Sequence, residues 1–295
     1  MRITNNVQAL KAYRNLTANQ LNIKGNMDKL SSGQKINRAA DDAAGLAISE
    51  KMRTRLKALD KAEQNVLDGI SMVQTVEGGL NETHALLQRM RELAVQAGNG
   101  TLAESDRAAV QEEINQLTDE VSRIANTTQF NGKTLLTGAY KEGAESLFFQ
   151  TGAGSMEGLE LNIGDMRALE LGISTTTTYT GAKELVNKSD AAPEYALSVL
   201  TTDGANNAIE AYSKAIETVS QQRAKLGAVQ NRFEATNSVL GISRENLTAS
   251  ESRIRDTDMA REMMEYAKHN ILNQSGMAMI AQANALPQGV LQLLN

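Results

Sequence analysis

No cysteine occurs in this sequence, so disulfides and thiolate-held metals are excluded. Two histidines, His84 and His269, are too few for a histidine-rich metal site. Tryptophan is absent, and aromatics make up 3% of the 295 residues. Compact cores lean on large aromatic rings for buried area. Here the apolar surface must come from aliphatic side chains and twelve methionines, a supply that suits long helices packed along thin stripes. Two prolines, Pro193 and Pro287, leave most of the chain free to be helical. No apolar run approaches the roughly 18 residues of a membrane span. The opening MRITNNVQAL lacks the apolar stretch of a cleaved secretion signal. The expectation is a protein that stays in the cytoplasm or leaves by a route needing no such signal.

Charge is unevenly placed. Residues 1–40 carry seven basic side chains against Asp28 alone, within a net charge of −5. A basic arm is a candidate for nucleic acid or an anionic surface. With Tyr13 as its only aromatic it has no base-stacking platform. A solvated helix face is the better reading, and neither nucleic acid nor membrane is expected as a partner.

Apolar residues Ile3, Val7, Leu10, Tyr13, Leu16, Ile23, Met27 and Leu30 keep a helical spacing that Ser31-Ser32-Gly33 stops. Residues 34–40 read as a connector. A second helix is predicted from about 42 to 98. Steps of four and three from Met52 reach Leu59, Val66, Val73, Leu80, Leu87 and Ala94, with polar interruptions at Glu63, Glu77, His84 and Arg91. At 1.5 Å per residue such a helix reaches roughly 80 Å, which suggests a rod. A second stripe, Leu86, Met90, Leu93 and Ala97, asks for another neighbour. A third helix is predicted over 104–128. NTTQFNGKTLLTG (126–138), LFFQ (147–150) and GLELNI (158–163) read as short strands or hairpins. Residues 174–204 read as loop. Helical spacing returns over 205–249, on Ile209, Tyr212, Ile216, Val219, Leu226, Val229, Phe233 and Val239, and continues until Pro287 stops it. The fold class is mainly α: a long antiparallel helical bundle or coiled-coil rod, a small β-hairpin region, and paired N- and C-termini.

Candidate chemistry is sparse. Gly132-Lys133-Thr134 ends like a phosphate-binding loop, but Thr127 stands where that motif needs glycine. The adjacent Asp41 and Asp42 would point roughly 100° apart on a helix. Before Ala43-Ala44-Gly45 they read as capping and first-turn acids. His84 falls on the heptad seam with no nucleophile assigned to it. No catalytic residue, cofactor or metal is expected. Met259, Met263, Tyr266, Met277 and Ile280 share a stripe with Asn270, Asn273 and Asn284. Two readings stand for it: an ordinary adaptable core, or a seam that repacks between partners. Helices gain most of their stability from packing, so 1–40 and 255–295 are expected to be partly disordered in a free monomer.

LSSG (30–33), DDAAGLAIS (41–49), DGIS (68–71), QRMRELAVQ (88–96), FNG (130–132) and NIGDM (162–166) together resemble bacterial flagellin. So do LGAVQNR (226–232), ASESRIRDTDMA (249–260) and ANALPQ (283–288). The likeness covers about 1–172 and 205–295, and only 173–204 stands where longer members carry outer domains. It implies a structural subunit, not an enzyme. Such a subunit is exported unfolded by the flagellar type III route and polymerises into a hollow extracellular filament for motility; a hook–filament junction protein is the alternative. It implies an inner-tube coiled coil of 1–42 plus 255–295 and a rod of 43–172 plus 205–254. Residues 173–204 would be a short insert or loop. The assembly seam would include Ile3, Val7, Leu10, Leu16, Met27, Leu30, Met259, Met263, Tyr266, Met277, Ile280, Leu291 and Leu294. Implied partners are further copies of the chain, an export chaperone at the C-terminal helices, the filament cap and hook-junction proteins. Toll-like receptor five in animal hosts would bind at Arg89, Leu93 and Glu113. Gly33, Asn37, Asp41, Asp42 and Gly45 would form the joint between layers, with Ala43-Ala44-Gly45 admitting a neighbouring chain. Ser174, Thr175, Thr176, Thr177, Thr178 and Thr180 are either O-glycosylated or an unmodified polar loop.

Overall fold

The computed structural model describes residues 6–179, 182–188 and 193–293, the side chains of 286–293 excepted. Among these residues the helices are α1 (Val7–Ser32), α2 (Ala43–Ala97), α3 (Glu104–Thr127), α4 (Thr202–Arg255) and α5 (Met259–Leu293). The strands form three antiparallel pairs. They are β1 (Gln129–Phe130) with β2 (Lys133–Thr134), β3 (Leu147–Gln150) with β4 (Gly158–Leu161), and β5 (Ser174–Thr175) with β6 (Tyr195–Ala196). The chain divides into two compact units: residues 58–242, and residues 1–57 together with 243–295.

In the 58–242 unit the core is apolar and continuous. Along α2 the most enclosed positions from Leu59 to Ala97 alternate in steps of three and four: Leu59, Ala62, Val66, Gly69, Val73, Val76, Leu80, Thr83, Leu87, Met90, Ala94 and Ala97. The predicted stripe has half of these positions. Its polar interruptions, Glu63, Glu77, His84 and Arg91, all lie off the seam. One helix position earlier, the same heptad is almost uninterrupted. On α4, Ala205, Ala208, Tyr212, Ala215, Val219, Gln222, Leu226, Phe233 and Leu240 repeat the spacing. Ile209 and Ile216 are half-buried flanks, and Val239 faces solvent. Glu77 pairs with Arg223 at 3.9 Å, and a methyl group added at Gly69 would meet Phe233 Cζ at 3.0 Å. Numbers fall on α4 as they rise on α2, so the pair is antiparallel. Each large aliphatic or aromatic side chain buried here is worth roughly 1.5–3 kcal/mol.

The β1–β2 turn is Asn131-Gly132, with φ of 50° and 78°. Two successive positive φ angles make the tight turn whose twist matches a hairpin. β3 and β4 pair from Leu147↔Leu161 to Gln150↔Gly158. The stretch read as a loop is held to α3 by two polar side chains. Gln111 is 3% exposed. Its Nε2 donates to Leu197 O and Tyr179 Oη, both at 3.0 Å, and its Oε1 accepts from Val199 N at 2.7 Å. Asp119 Oδ1 accepts from Val186 N at 2.9 Å and Asn187 N at 2.7 Å. Buried polar groups need such partners, and this insert supplies them from its backbone.

In the other unit, α1 and α5 run antiparallel. The inward positions again step by three and four: Ala9, Ala12, Leu16, Asn19, Ile23, Asn26 and Leu30 on α1; Glu262, Tyr266, His269, Asn273, Gly276, Ile280 and Ala283 on α5. Lys29 Nζ lies 3.8 Å from Glu262, Asn19 Oδ1 is 3.3 Å from His269 Nδ1, and Leu16 lies against Gly276. With its amide oriented to donate, Asn26 reaches Glu262 Oε1 at 3.0 Å. This is a small-residue and polar seam.

Pro287 does not end the last helix, which runs to Leu293. A proline leaves the carbonyl four residues back without its N–H partner. That carbonyl belongs to Ala283, and Asn6 Nδ2 donates to it at 2.7 Å. Asn6 Oδ1 also caps α1, accepting from Ala9 N at 3.1 Å. One side chain thus closes two helix defects.

Candidate assembly surface and joint

A helix pair with a polar seam leaves its apolar side chains outside. On α1 the exposed ones are Val7, Leu10, Tyr13, Leu21 and Met27; on α5 they are Met259, Met263, Met264, Ile271, Leu272, Met277 and Met279. Of the predicted seam, Leu16, Leu30, Tyr266 and Ile280 face the partner helix. Val7, Leu10, Met27, Met259, Met263 and Met277 face outward, away from the partner helix of their own chain. The apolar spacing was followed in place of the Asn and Ala spacing that fills the interface. Ile3, Leu294 and the Leu291 side chain lie outside the described residues. Exposed large apolar groups recurring along two adjacent helices mark an interaction surface.

The joint is built where α1 passes to α2 and α4 passes to α5. Gly33 ends α1 at φ 71°, its N–H donating to Lys29 O at 2.8 Å. The two connections pair as a bridge: Lys35 N donates to Arg255 O at 2.6 Å, and Thr257 N to Gly33 O at 3.0 Å. Arg255, 9% exposed, reaches Gln34 Oε1 at 3.0 Å and Glu50 Oε1 at 2.6 Å. That hydrogen bond is the chief cause holding the Glu50 carboxyl below its ordinary value. Asn37 Nδ2 donates to Asp28 O at 3.1 Å and Ser32 Oγ at 2.6 Å.

Asp42 caps α2, accepting from Gly45 N at 2.9 Å. Asp41 is corrected. It closes the connector turn, accepting from Arg38 N at 2.9 Å and Asn37 N at 3.0 Å, and these bonds lower its pKa. Gly45 is small for a reason inside its own chain. A methyl group there would lie 2.7 Å from Ile36 Cδ1 and collide with the Asp42 carboxylate. Gln34, Ile36, Glu50 and Arg255 were missed as joint residues. Their partners lie up to 221 positions apart, beyond any periodic signal. Arg255 does sit within the quoted SRIRDTD segment, the one clue available.

Arg89 and Glu113 meet at 2.8 Å on the surface of the 58–242 unit. Leu93, which the resemblance places at the receptor site and the spacing on a second stripe, is 2% exposed and belongs to the core. Ser174 is corrected too. It is 6% exposed, paired in β5, and its Oγ donates to the buried Glu194 at 3.3 Å. Thr175 is half-buried, Thr176, Thr177 and Thr178 are exposed, and Thr180 lies outside the described residues.

Two family descriptions match: the bacterial flagellin N-terminal helical region over residues 3–141, and the bacterial flagellin C-terminal helical region over residues 209–294. The flagellin of Bacillus subtilis (strain 168) is 51% identical over 303 aligned residues, with all of both chains covered. The chain belongs to the bacterial flagellin family. The flagellar filament 30.7 kDa core protein of Treponema maltophilum is 45% identical over 298 residues, again covering both chains entirely. Among solved structures, a Vibrio parahaemolyticus protein described as flagellar hook-associated gives a TM-score of 0.56. It covers 73% of this chain and all of its own at 13% identity, which shows a shared fold alone. This flagellin is a structural subunit of the flagellar filament, and the junction alternative has no better support.

Proposed function

We propose that this flagellin polymerises through the outward apolar faces of α1 and α5 to form the inner tube of a hollow extracellular filament. The observation that carries the reading is the inversion in that helix pair: polar residues between the helices, Leu10, Tyr13, Met263 and Met277 outside. Contacts of one face with a different face need not close, so they propagate as a helix. Residues 1–42 with 255–295 are assigned to the inner layer, and 43–172 with 205–254 to the outer one. Residues 173–204 are assigned to a short surface insert. Passage to the distal end is unfolded, through the flagellar type III channel and without a cleaved signal. A thin polar seam is cheap to open and to rebuild. The outward face of α5 suits an export chaperone before assembly, and filament cap and hook-junction proteins meet the subunit at the growing and basal ends. Recognition by the Toll-like receptor rests on Arg89 and Glu113, with Leu93 acting through packing. Any O-glycan is carried by Thr176, Thr177 or Thr178.

Electron microscopy of the purified chain after seeding tests the reading. Long hollow filaments are expected, and their loss in Leu10→Ser together with Met263→Ser. Persistent monomers from the unaltered chain, or short caps, contradict it.

A further inference from the structure

We propose that the methionines on the outward face of α5 are an oxidation-sensitive switch that decides whether a free subunit can enter the filament. The inference rests on the assembly reading above. Of the twelve methionines, Met72, Met90 and Met166 are buried in the 58–242 unit. Met259, Met263, Met264, Met277 and Met279 are 48–67% exposed and lie within twenty-one positions of one helix. Thioether oxidation follows exposure. Five of the exposed sulfurs among the described residues are thereby gathered on one proposed contact surface; the others are Met27 on α1 and Met156 in the 58–242 unit.

The chemistry is balanced with a peroxide as oxidant. The thioether sulfur attacks the peroxide oxygen, the S–O bond forms as the O–O bond breaks, and the departing hydroxide takes a proton to leave as water. Sulfur is oxidised by two electrons and the peroxide is reduced by two. The product replaces a flexible apolar group with a polar sulfoxide. Burying that oxygen against another subunit without a hydrogen bond is unfavourable. Inside the free chain the cost is small, because the Glu262–Ala283 seam contains no methionine. Oxidation therefore spares the fold and blocks assembly. The reaction reverses with a methionine sulfoxide reductase and a thiol.

The test uses the full chain untreated, treated with dilute hydrogen peroxide, treated and then reduced by the reductases, and as Met259→Leu/Met263→Leu/Met264→Leu/Met277→Leu/Met279→Leu treated with peroxide. Peptide mass spectrometry gives occupancy at each methionine, and sedimentation after seeding gives the critical concentration. Met156→Leu, at the most exposed methionine of the 58–242 unit, serves as control. We expect a rise of about tenfold on oxidation, the scale of one disfavoured contact, reversal by the reductases, and little rise in the variant with all five α5 methionines replaced by Leu. The Met156→Leu chain should behave as the unaltered one. Unchanged assembly at full α5 sulfoxide occupancy overturns the proposal, as does a rise that the reductases leave in place. Failure of the untreated chain to polymerise overturns instead the assembly reading beneath it.

Discussion

The two units use one spacing to opposite ends. In both, inward positions step by three and four along antiparallel helices. Between α2 and α4 those positions are mostly Ala, Leu and Val, with Met90, Tyr212 and Phe233; between α1 and α5 they are mostly Ala, Asn, Gly, His and Glu. The 58–242 unit carries its cohesion inside. The terminal pair turns most of its large apolar side chains outward, keeping Leu16, Ile23, Leu30, Tyr266 and Ile280 within. The difference teaches that heptad spacing fixes which residues can meet, while residue chemistry decides whether the meeting stabilises the subunit or the assembly.

The largest expected effect breaks the cohesive side. Phe233 is fully buried and packs edge-on to Phe149 at 5.3 Å between ring centres. Phe233→Ala should cost about 3–5 kcal/mol, read as a lowered denaturation midpoint. Gly45→Ala forces the joint against Ile36 and should cost about 1–3 kcal/mol, with faster amide exchange at Lys35 and Thr257. Asn6→Ala removes a cap and the partner of the Ala283 carbonyl. A loss of about 1–2 kcal/mol confined to α1 and α5 is expected, seen as local exchange.

These effects also measure how far the sequence was legible. The helix α2 and both Asn-Gly and LFFQ hairpin segments were readable because period and turn chemistry are local. Every second position of the α2 seam was placed one residue late. Starting at Met52 gave equal weight to Leu and Glu, and the small residues Ala62, Gly69 and Thr83 that fill the true seam carry no strong apolar signal. The α1–α5 interface was legible only in part for the same reason: Leu16, Leu30, Tyr266 and Ile280 lie on it, while Asn19, Asn26 and His269, which also fill it, carry no apolar signal. The break between α4 and α5 rests on Asp258, whose Oδ1 accepts from Ala260 N at 3.0 Å. That cap sits inside a polar run where many start signals compete. The joint was legible only through likeness to relatives, since Arg255 and Gln34 are paired by tertiary folding.

Acid should open the joint. In the folded chain the Glu50 carboxyl lies below its ordinary value of 4.5, mainly through Arg255, and Asp41 lies below 3.8 through the Arg38 and Asn37 amides. A lowered folded value means the stabilisation is whole above the unfolded value and fades as pH falls through the folded one. Protection factors at residues 33–35 and 255–257, which divide out the slower intrinsic exchange in acid, should therefore hold above the ordinary carboxyl value of 4.5 and fall below it, and Glu50→Gln should blunt that dependence. The smallest effect on the free chain sharpens the contrast. Val7→Ser with Leu10→Ser should change monomer stability by no more than about 0.5 kcal/mol, because both side chains are exposed. The same pair should abolish seeded polymerisation.

Hydrogen exchange measured on dilute monomer and on sedimented polymer tests the contrast most directly. The account predicts that α1 and α5 exchange quickly in the monomer and become strongly protected in the polymer, while the Leu59–Ala97 stretch of α2 is protected in both. Equal, strong protection of α1 and α5 in both states would contradict it.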